Sequence, residues 1–167
     1  MAPPPDPGLL SLYDRALPEV YGYLLSRCGQ RALAEDLTAE TFLAAVRAEA
    51  GGGGPVTVPW LIGTARHKLV DHWRRQEREQ RSLQLVAGGD EAAEDPWEVR
   101  LDALRAGQVL GQLSTQHRAA LTLRYVDDLP VPQVAALLGR TVHATEALLV
   151  RARTAFRRVY ESTGGAR

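Results

Sequence analysis

The chain is 167 residues long, 45% hydrophobic and 24% charged, with 20 basic residues against 20 acidic ones and a formal net charge of zero. That size suits one medium core or two small ones in an ordinary globular class, and the balanced charge provides no molecule-wide basic field, so any case for nucleic acid rests on where the charges lie. A single cysteine, Cys28, excludes an internal disulfide and a cysteine-rich zinc site, and His67, His72, His117 and His143 are too scattered to make a ligand cluster, so neither metal nor cofactor is expected.

The amino terminus, Met1-Ala-Pro-Pro-Pro-Asp-Pro-Gly8, lacks the basic stretch and apolar core of a signal peptide, and no run of about 18 apolar residues marks a membrane span. A cytoplasmic protein is expected, with residues 1–8 as a disordered tail. Apolar residues at Leu9, Leu12, Tyr13, Leu17, Val20, Leu24 and Leu25 recur at helical spacing and predict a first helix to about Gly29, with a break near Pro18. A second helix is predicted from Arg31 to Ala50, ended by Gly51-Gly-Gly-Gly54, where backbone entropy opposes continuation. Pro59 suits the first turn of a third helix, Thr57 is placed to cap it, and the pattern runs to about Arg81.

Residues 82–97 are acidic, small and poor in apolar side chains, and read as a linker. The helical pattern resumes at Val99, Leu101, Leu104, Val109, Leu110 and Leu113, with Ser114 placed to cap the next helix. A short apolar helix over Pro132–Gly139, a glycine turn and a longer helix from Thr141 follow, and residues 162–167 read as a tail. Neither an internal repeat nor a sustained strand-like alternation occurs. The expected fold class is therefore all-α, with two small helical domains at 9–81 and 98–161 joined by the acidic linker.

A glycine turn between a short apolar helix and a longer one bearing Arg151, Arg153, Arg157 and Arg158 is the sequence pattern of a helix-turn-helix that presents its second helix to the DNA major groove. On that second helix Leu148, Leu149, Ala152, Ala155, Phe156 and Val159 form the packing face. His143, Glu146, Ala147, Val150, Thr154, Arg157 and Arg158 point outward, with Arg151 at the edge. Glutamate accepts from a cytosine amino group and Ala or Val touches a thymine methyl, a weaker code than arginine on guanine. In the third helix, Leu61, Ile62, Ala65, Leu69 and Trp73 share one face, while Trp60, Gly63, His67, Asp71, Arg74 and Arg78 share the other, flanked by Arg66, Lys68 and Arg75. Basic residues beside an aromatic ring suit a strand whose bases stack on the ring; an ordinary solvated face fits the same pattern. The second helix is apolar on more than one side: Leu33 and Leu37 lie together, while Phe42, Leu43 and Val46 point elsewhere. It either sits at the centre of a bundle or offers a second apolar side to a partner.

Catalytic readings find little support. Glu35, Asp36 and Glu40 are unaccompanied by a histidine or a nucleophile motif, and Gly51 to Gly54 lacks the lysine and Ser/Thr of a phosphate-binding loop. No enzyme activity is expected. Two non-catalytic alternatives stay open on the residues alone, a dimeric helix-turn-helix regulator and a protein-interaction module without base recognition.

Taken in order, Ala34-Glu-Asp-Leu-Thr-Ala-Glu-Thr-Phe-Leu43, Pro59-Trp-Leu-Ile-Gly-Thr-Ala-Arg-His-Lys-Leu-Val-Asp-His-Trp-Arg-Arg75, Leu123-Arg-Tyr125, Val134-Ala-Ala-Leu-Leu-Gly139 and Arg151-Ala-Arg153 resemble the bacterial extracytoplasmic-function sigma factors, which keep only sigma regions 2 and 4. The resemblance covers roughly Leu9 to Glu161. It implies a subunit that binds core RNA polymerase and directs promoter-specific initiation, with Asp36, Leu37, Glu40, Thr41, Phe42 and Ala45 docking on the clamp helices of the largest subunit and region 4 meeting the flap. It implies that the 51–58 loop and the third helix, through Trp60, Gly63, Arg66, His67, Lys68, Asp71, Arg74 and Arg75, read and open the minus-10 element. Arg124, His143, Glu146, Ala147, Val150, Arg151, Thr154 and Arg157 would meet the minus-35 element, with Arg124 toward the backbone. An anti-sigma protein is a further implied partner. The chain departs from the family pattern at Glu146 and Ala147, where many members carry a basic residue and a serine, and at Leu148, where they carry a basic residue.

Overall fold

The computed structural model describes residues 8–83 and 103–164. Residues 1–7 of the expected 1–8 tail, most of the expected linker and residues 165–167 lie outside the described residues, whereas residues 162–164, expected as tail, continue the last helix. Among the described residues there are seven α-helices and one π-helical turn: α1 Leu9–Cys28, α2 Arg31–Ala50, α3 Val58–Leu83, α4 Ala103–Gln112, α5 Thr115–Leu121, the π turn Thr122–Val126, α6 Val131–Leu138 and α7 Val142–Gly164. No strand occurs among the described residues. By backbone proximity they group into two units, residues 1–69 and 70–167, so that α3 contributes to both.

In the first unit α1 packs against α2. Leu12, Ala16, Val20, Leu24 and Cys28 line one side of α1, Ala34, Leu37, Thr38, Thr41, Phe42 and Ala45 face inward from α2, and Leu61, Ala65 and Leu69 are buried on α3. Contrary to the expected break, α1 continues through Pro18. A mid-helix proline removes one backbone hydrogen bond and typically costs about 3 kcal/mol or more. Here Pro18 and Asp14, whose carbonyl loses its donor, are both exposed, so water can serve that carbonyl while Ala16 and Val20 stay buried on the other side. The two buried threonines of α2 return their hydroxyls to their own helix, Thr38 Oγ1 to the Ala34 carbonyl at 2.6 Å and Thr41 Oγ1 to the Leu37 carbonyl at 2.7 Å. This satisfies the hydroxyls and lets both side chains act as core residues. Helix α2 ends at Gly51, and Gly52 and Gly54 take φ values of 71° and 87° that turn the chain toward α3. Thr57 Oγ1 then accepts from the Trp60 amide at 3.3 Å, the cap expected from sequence.

The second unit is built around α7, which packs against α4, α5 and α6. Val109, Ala120, Leu121, Leu148, Leu149, Ala152 and Phe156 form one buried cluster; Val70, Leu123 and Val134 form another, covered by Leu129, Leu137 and Leu138. Ser114 Oγ caps α5 by accepting from the His117 amide at 3.3 Å. Arg105 on α4 stacks on the Tyr160 ring at 3.7 Å and donates to the Tyr160 carbonyl, fastening α4 to the end of α7. A π turn is wider than α-helix and shifts the side chains that follow it; here it holds Arg124 and Tyr125 at the surface while Thr122 and Leu123 remain buried.

The turn between α6 and α7 depends on Gly139, whose φ of 65° is left-handed. A Cβ there would strain the backbone by about 1–2 kcal/mol and would lie 2.7 Å from Nη2 of Arg74, a flexible group able to move aside. Gly139→Ala is therefore expected to lower stability by about 1 kcal/mol, a drop of several degrees in the thermal midpoint followed by circular dichroism. An unchanged midpoint would contradict a strained turn.

Candidate nucleic-acid interface

Helix α2 separates into two sides. Leu37, Thr41, Phe42 and Ala45 point inward, Phe42 meeting Tyr13 edge to face at 4.7 Å, whereas Asp36, Ala39, Glu40, Leu43, Val46 and Arg47 form an exposed stripe. Leu43 and Val46 are 55% and 50% exposed and, three residues apart on the helix, give this charged stripe an apolar centre. Of the six positions expected to dock on a partner, Asp36 and Glu40 reach solvent and the other four hold the helix in place. Leu43 and Val46 are absent from the expected set; placing α2 at 100° per residue puts them on the side opposite Leu37, Thr41 and Ala45.

On α3, Trp60 stands 37% exposed in the first turn, followed by exposed His67, Asp71 and Arg75 and half-buried Arg66 and Lys68. Gly63 lies between them with open space where a Cβ would stand. Tyr23 of α1 braces Arg66: the Arg66 Nε donates to the Tyr23 hydroxyl at 3.3 Å, and Arg27 lies over the same ring at 3.7 Å. The geometry leaves an aromatic edge beside a series of cations, which suits unpaired bases and their phosphates. Arg74 diverges from the others; it is half-buried and lines a small cavity of the second unit with Trp73, Glu77, Gln116, Leu138 and Arg140.

On α7, His143, Glu146 and Thr154 are exposed, and Ala147, Val150, Arg151 and Arg157 are half-buried, so the outward set forms a continuous face. Thr141 Oγ1 caps this helix by accepting from the Ala144 amide at 3.1 Å. Arg124 is tethered rather than extended, donating to the Leu129 carbonyl at 3.4 Å and pairing with Asp128 at 4.0 Å. Tyr125 accepts from Arg153 at 3.0 Å, which ties the π turn to α7. Leu148 is fully buried in the α5–α7 cluster, so the departure from the family pattern at this position lies in the core and away from the outward face.

His117, on α5, has a pKa lowered by burial and then by the Arg151 guanidinium. A neutral form favoured on folding means that the unfolded chain binds the proton more readily. Stability is then fully present above about pH 6.5, declines as the pH falls below it, and levels off once the folded-state pKa is passed. His117→Gln is expected to flatten the denaturation midpoint between about pH 7 and 5 relative to the parent; parallel curves would refute the assignment.

Among the described residues no group of three His, Cys, Asp or Glu could hold a metal ion, and no helix is long and apolar enough to cross a membrane. Residues 12–79 match the sigma-70 region 2 family and residues 103–156 match sigma-70 region 4. CarQ of Myxococcus xanthus, an RNA polymerase sigma factor, is 32% identical over 137 residues, covering 77% of this chain and 75% of CarQ. The chain belongs to the extracytoplasmic-function sigma factors. A second such relative, BldN of Streptomyces coelicolor, is 31% identical over 154 residues; the match covers 84% of this sigma factor but only 56% of BldN. The fold resembles that of the sigma factor RpoE from Bartonella quintana, solved in complex with the anti-sigma factor NepR, with a TM-score of 0.54 and 21% identity over 89% of this sigma factor and 94% of that chain. Within this sigma factor, Trp60 and the α3 cations belong to the region 2 match, and the outward face of α7 as far as Thr154 belongs to the region 4 match.

Proposed function

We propose that the chain recruits core RNA polymerase through the exposed stripe of α2 and reads a promoter at two places, using residues 9–81 as one module and 98–161 as the other. The contact to the clamp helices of the largest subunit is made by Asp36, Glu40, Leu43, Val46 and Arg47, with Leu37, Thr41, Phe42 and Ala45 as the internal support of that surface. The 51–58 loop, Trp60 and the cations Arg66, Lys68 and Arg75 take the minus-10 element, with Gly63, His67 and Asp71 along the same face, while Arg74 is turned to the second unit. Glu146, Ala147, Val150 and Arg151 face the bases of the minus-35 element, with His143, Thr154, Arg157 and Arg124 toward its backbone, and region 4 meets the polymerase flap. The chain binds and positions without catalysing a reaction and acts in the cytoplasm, where an anti-sigma protein restrains it. The observation that carries the reading is the succession of a region 2 and a region 4 match on one chain, with large apolar side chains left exposed on α2.

Energetics favour a polymerase subunit over a self-sufficient regulator. Opening about ten base-pair steps at roughly 1.4 kcal/mol each costs on the order of 14 kcal/mol, and one or two bases stacked on aromatic rings return about 1–3 kcal/mol each. The isolated chain is expected to bind promoter duplex weakly and to open none. A run-off assay with core polymerase and a genomic promoter library tests this directly: promoter-dependent product above core alone is expected, and its absence would sink the proposal. In the same assay Arg151→Ala is expected to weaken initiation about tenfold on promoters that need the upstream element, consistent with about 1–3 kcal/mol for one base or phosphate contact. Equal activity, together with no crosslink from position 151 or 146 to promoter DNA, would favour a chain whose region 4 does not read bases.

A further inference from the structure

The first two turns of α7 are fixed on one side and open on the other. Thr141 Oγ1 caps the helix at the Ala144 amide, Thr145 Oγ1 donates to the Thr141 carbonyl at 2.8 Å, and Thr145, Leu148 and Leu149 are buried. His143 and Glu146 are exposed, and Ala147 and Val150 are half-buried beside them. Apart from His143, Glu146 is the single titratable side chain between Val142 and Val150. It makes no ion pair with another described residue. Arg151, the first guanidinium of the helix, is half-buried and lies toward His117 of α5, whose proton affinity it lowers. The Glu146 carboxylate therefore stands at the leading part of the outward face, next to aliphatic groups that neither donate nor accept hydrogen bonds.

Those surroundings make one carboxylate a selective reader. Duplex DNA carries one negative charge per about 1.7 Å of axis, so a carboxylate entering a groove is repelled and loses hydration unless a donor on a base edge receives it. In the major groove guanine offers the acceptors N7 and O6, and thymine offers the acceptor O4 and a methyl group. Both repel a carboxylate or leave it unpaired. Adenine has the N6 amino donor, but its N7 acceptor alongside opposes the second carboxylate oxygen. Cytosine has the N4 amino donor with no acceptor of its own beside it in the groove. Cytosine is therefore favoured, adenine follows, and guanine and thymine are rejected. Val150, four residues on, lies about 6 Å further along the axis, one to two base-pair steps away, and has no donor or acceptor to offer. Discrimination by hydrogen bonding in these turns thus falls mainly on the pair that faces Glu146.

We propose that Glu146 is a specificity-determining residue of region 4, accepting a hydrogen bond from the N4 amino group of a cytosine in the minus-35 element. This base assignment rests on the promoter-reading function above and goes further by naming the base. Promoters served by this sigma factor carry a C·G pair of fixed orientation at the position facing Glu146. Guanine or thymine in place of that cytosine excludes a promoter from the set.

The test combines core polymerase and the full chain with a promoter pool randomised over the upstream element, and sequences the fragments retained in initiated complexes. The parent is expected to enrich cytosine about tenfold over guanine and thymine at one position. Glu146→Gln, whose amide pairs with adenine N6 and N7, is expected to move the preference at that position to adenine and to leave the other positions as they were. Glu146→Ala is expected to flatten that position alone. Glu146 is exposed, so both variants should keep the parent's thermal midpoint to within a few degrees, which separates a change of base preference from loss of the fold. A parent with no position that prefers cytosine, or a cytosine preference unmoved in both variants, would overturn the assignment and leave promoter reading by this chain intact. Initiated complexes no more abundant than with core alone would overturn the promoter-reading function and the base assignment with it.

Discussion

Leu43→Gln is expected to weaken binding to core polymerase about 30-fold and to reduce run-off product in proportion at limiting polymerase, while the thermal midpoint moves by no more than a few degrees. The size follows from a central apolar anchor being worth about 2 kcal/mol or more in an interface, with each 1.4 kcal/mol a factor of ten. The selectivity follows from position. Leu43 is 55% exposed and lies on the stripe with Asp36, Glu40 and Arg47, so little core packing is lost. Glutamine keeps most of leucine's helix propensity and adds no charge, and exposed substitutions of this kind stay within about 0.5 kcal/mol. Phe42→Ala supplies the contrast: Phe42 is buried against Tyr13, so its loss should unfold the first unit as well as weaken binding. Undiminished polymerase affinity in Leu43→Gln, measured by fluorescence anisotropy, would show that α2 docks through another face.

Leu148→Ala should have the largest effect on stability in the second unit. Leu148 is completely buried between α5 and α7, beside Val109, Ala120, Leu121, Leu149, Ala152 and Phe156. Truncating a buried leucine typically costs about 2–5 kcal/mol, part from lost transfer energy and part from the cavity left behind. For a unit of this size each kcal/mol lowers the thermal midpoint by about 4–8 °C, so a fall of at least about 8 °C is expected by calorimetry. Leu104→Ala, at a position 82% exposed on α4, should leave it unchanged. The comparison bears on recognition too. A residue that faced DNA could be replaced without such a loss, so a small change in Leu148→Ala would return position 148 to the recognition face.

Much of the architecture was legible from local chemistry. The glycine run at 51–54, Thr57, Ser114 and Gly139 act within three or four residues of themselves, and the structure places turns and caps at each. The packing face of α7 was legible because a 3.6-residue repeat maps directly onto one side of a long helix. The π turn at Thr122–Val126 was not, because it arises where α5, α6 and α7 meet and carries no residue signature of its own. Pro18 misled for a related reason: its cost is local, but Ala16 and Val20, packed on the opposite side of α1, hold the helix through it.

The candidate surfaces divide along the same line. Sequence alone determined that the chain is helical, that it holds two successive motifs of the sigma factors, and that Trp60, the α3 cations and the face of α7 follow one another at helical spacing, since periodicity and motif order are properties of the chain. Tertiary structure decided which members of those sets meet solvent. It turned Leu37, Thr41, Phe42 and Ala45 inward and left Leu43 and Val46 outside, buried Leu148, and set Arg74 and Glu77 against the α6–α7 turn. A helix with apolar residues on two sides satisfies its local preferences in either orientation; only the neighbour it packs against, brought together from distant parts of the chain, selects the side that is excluded from water.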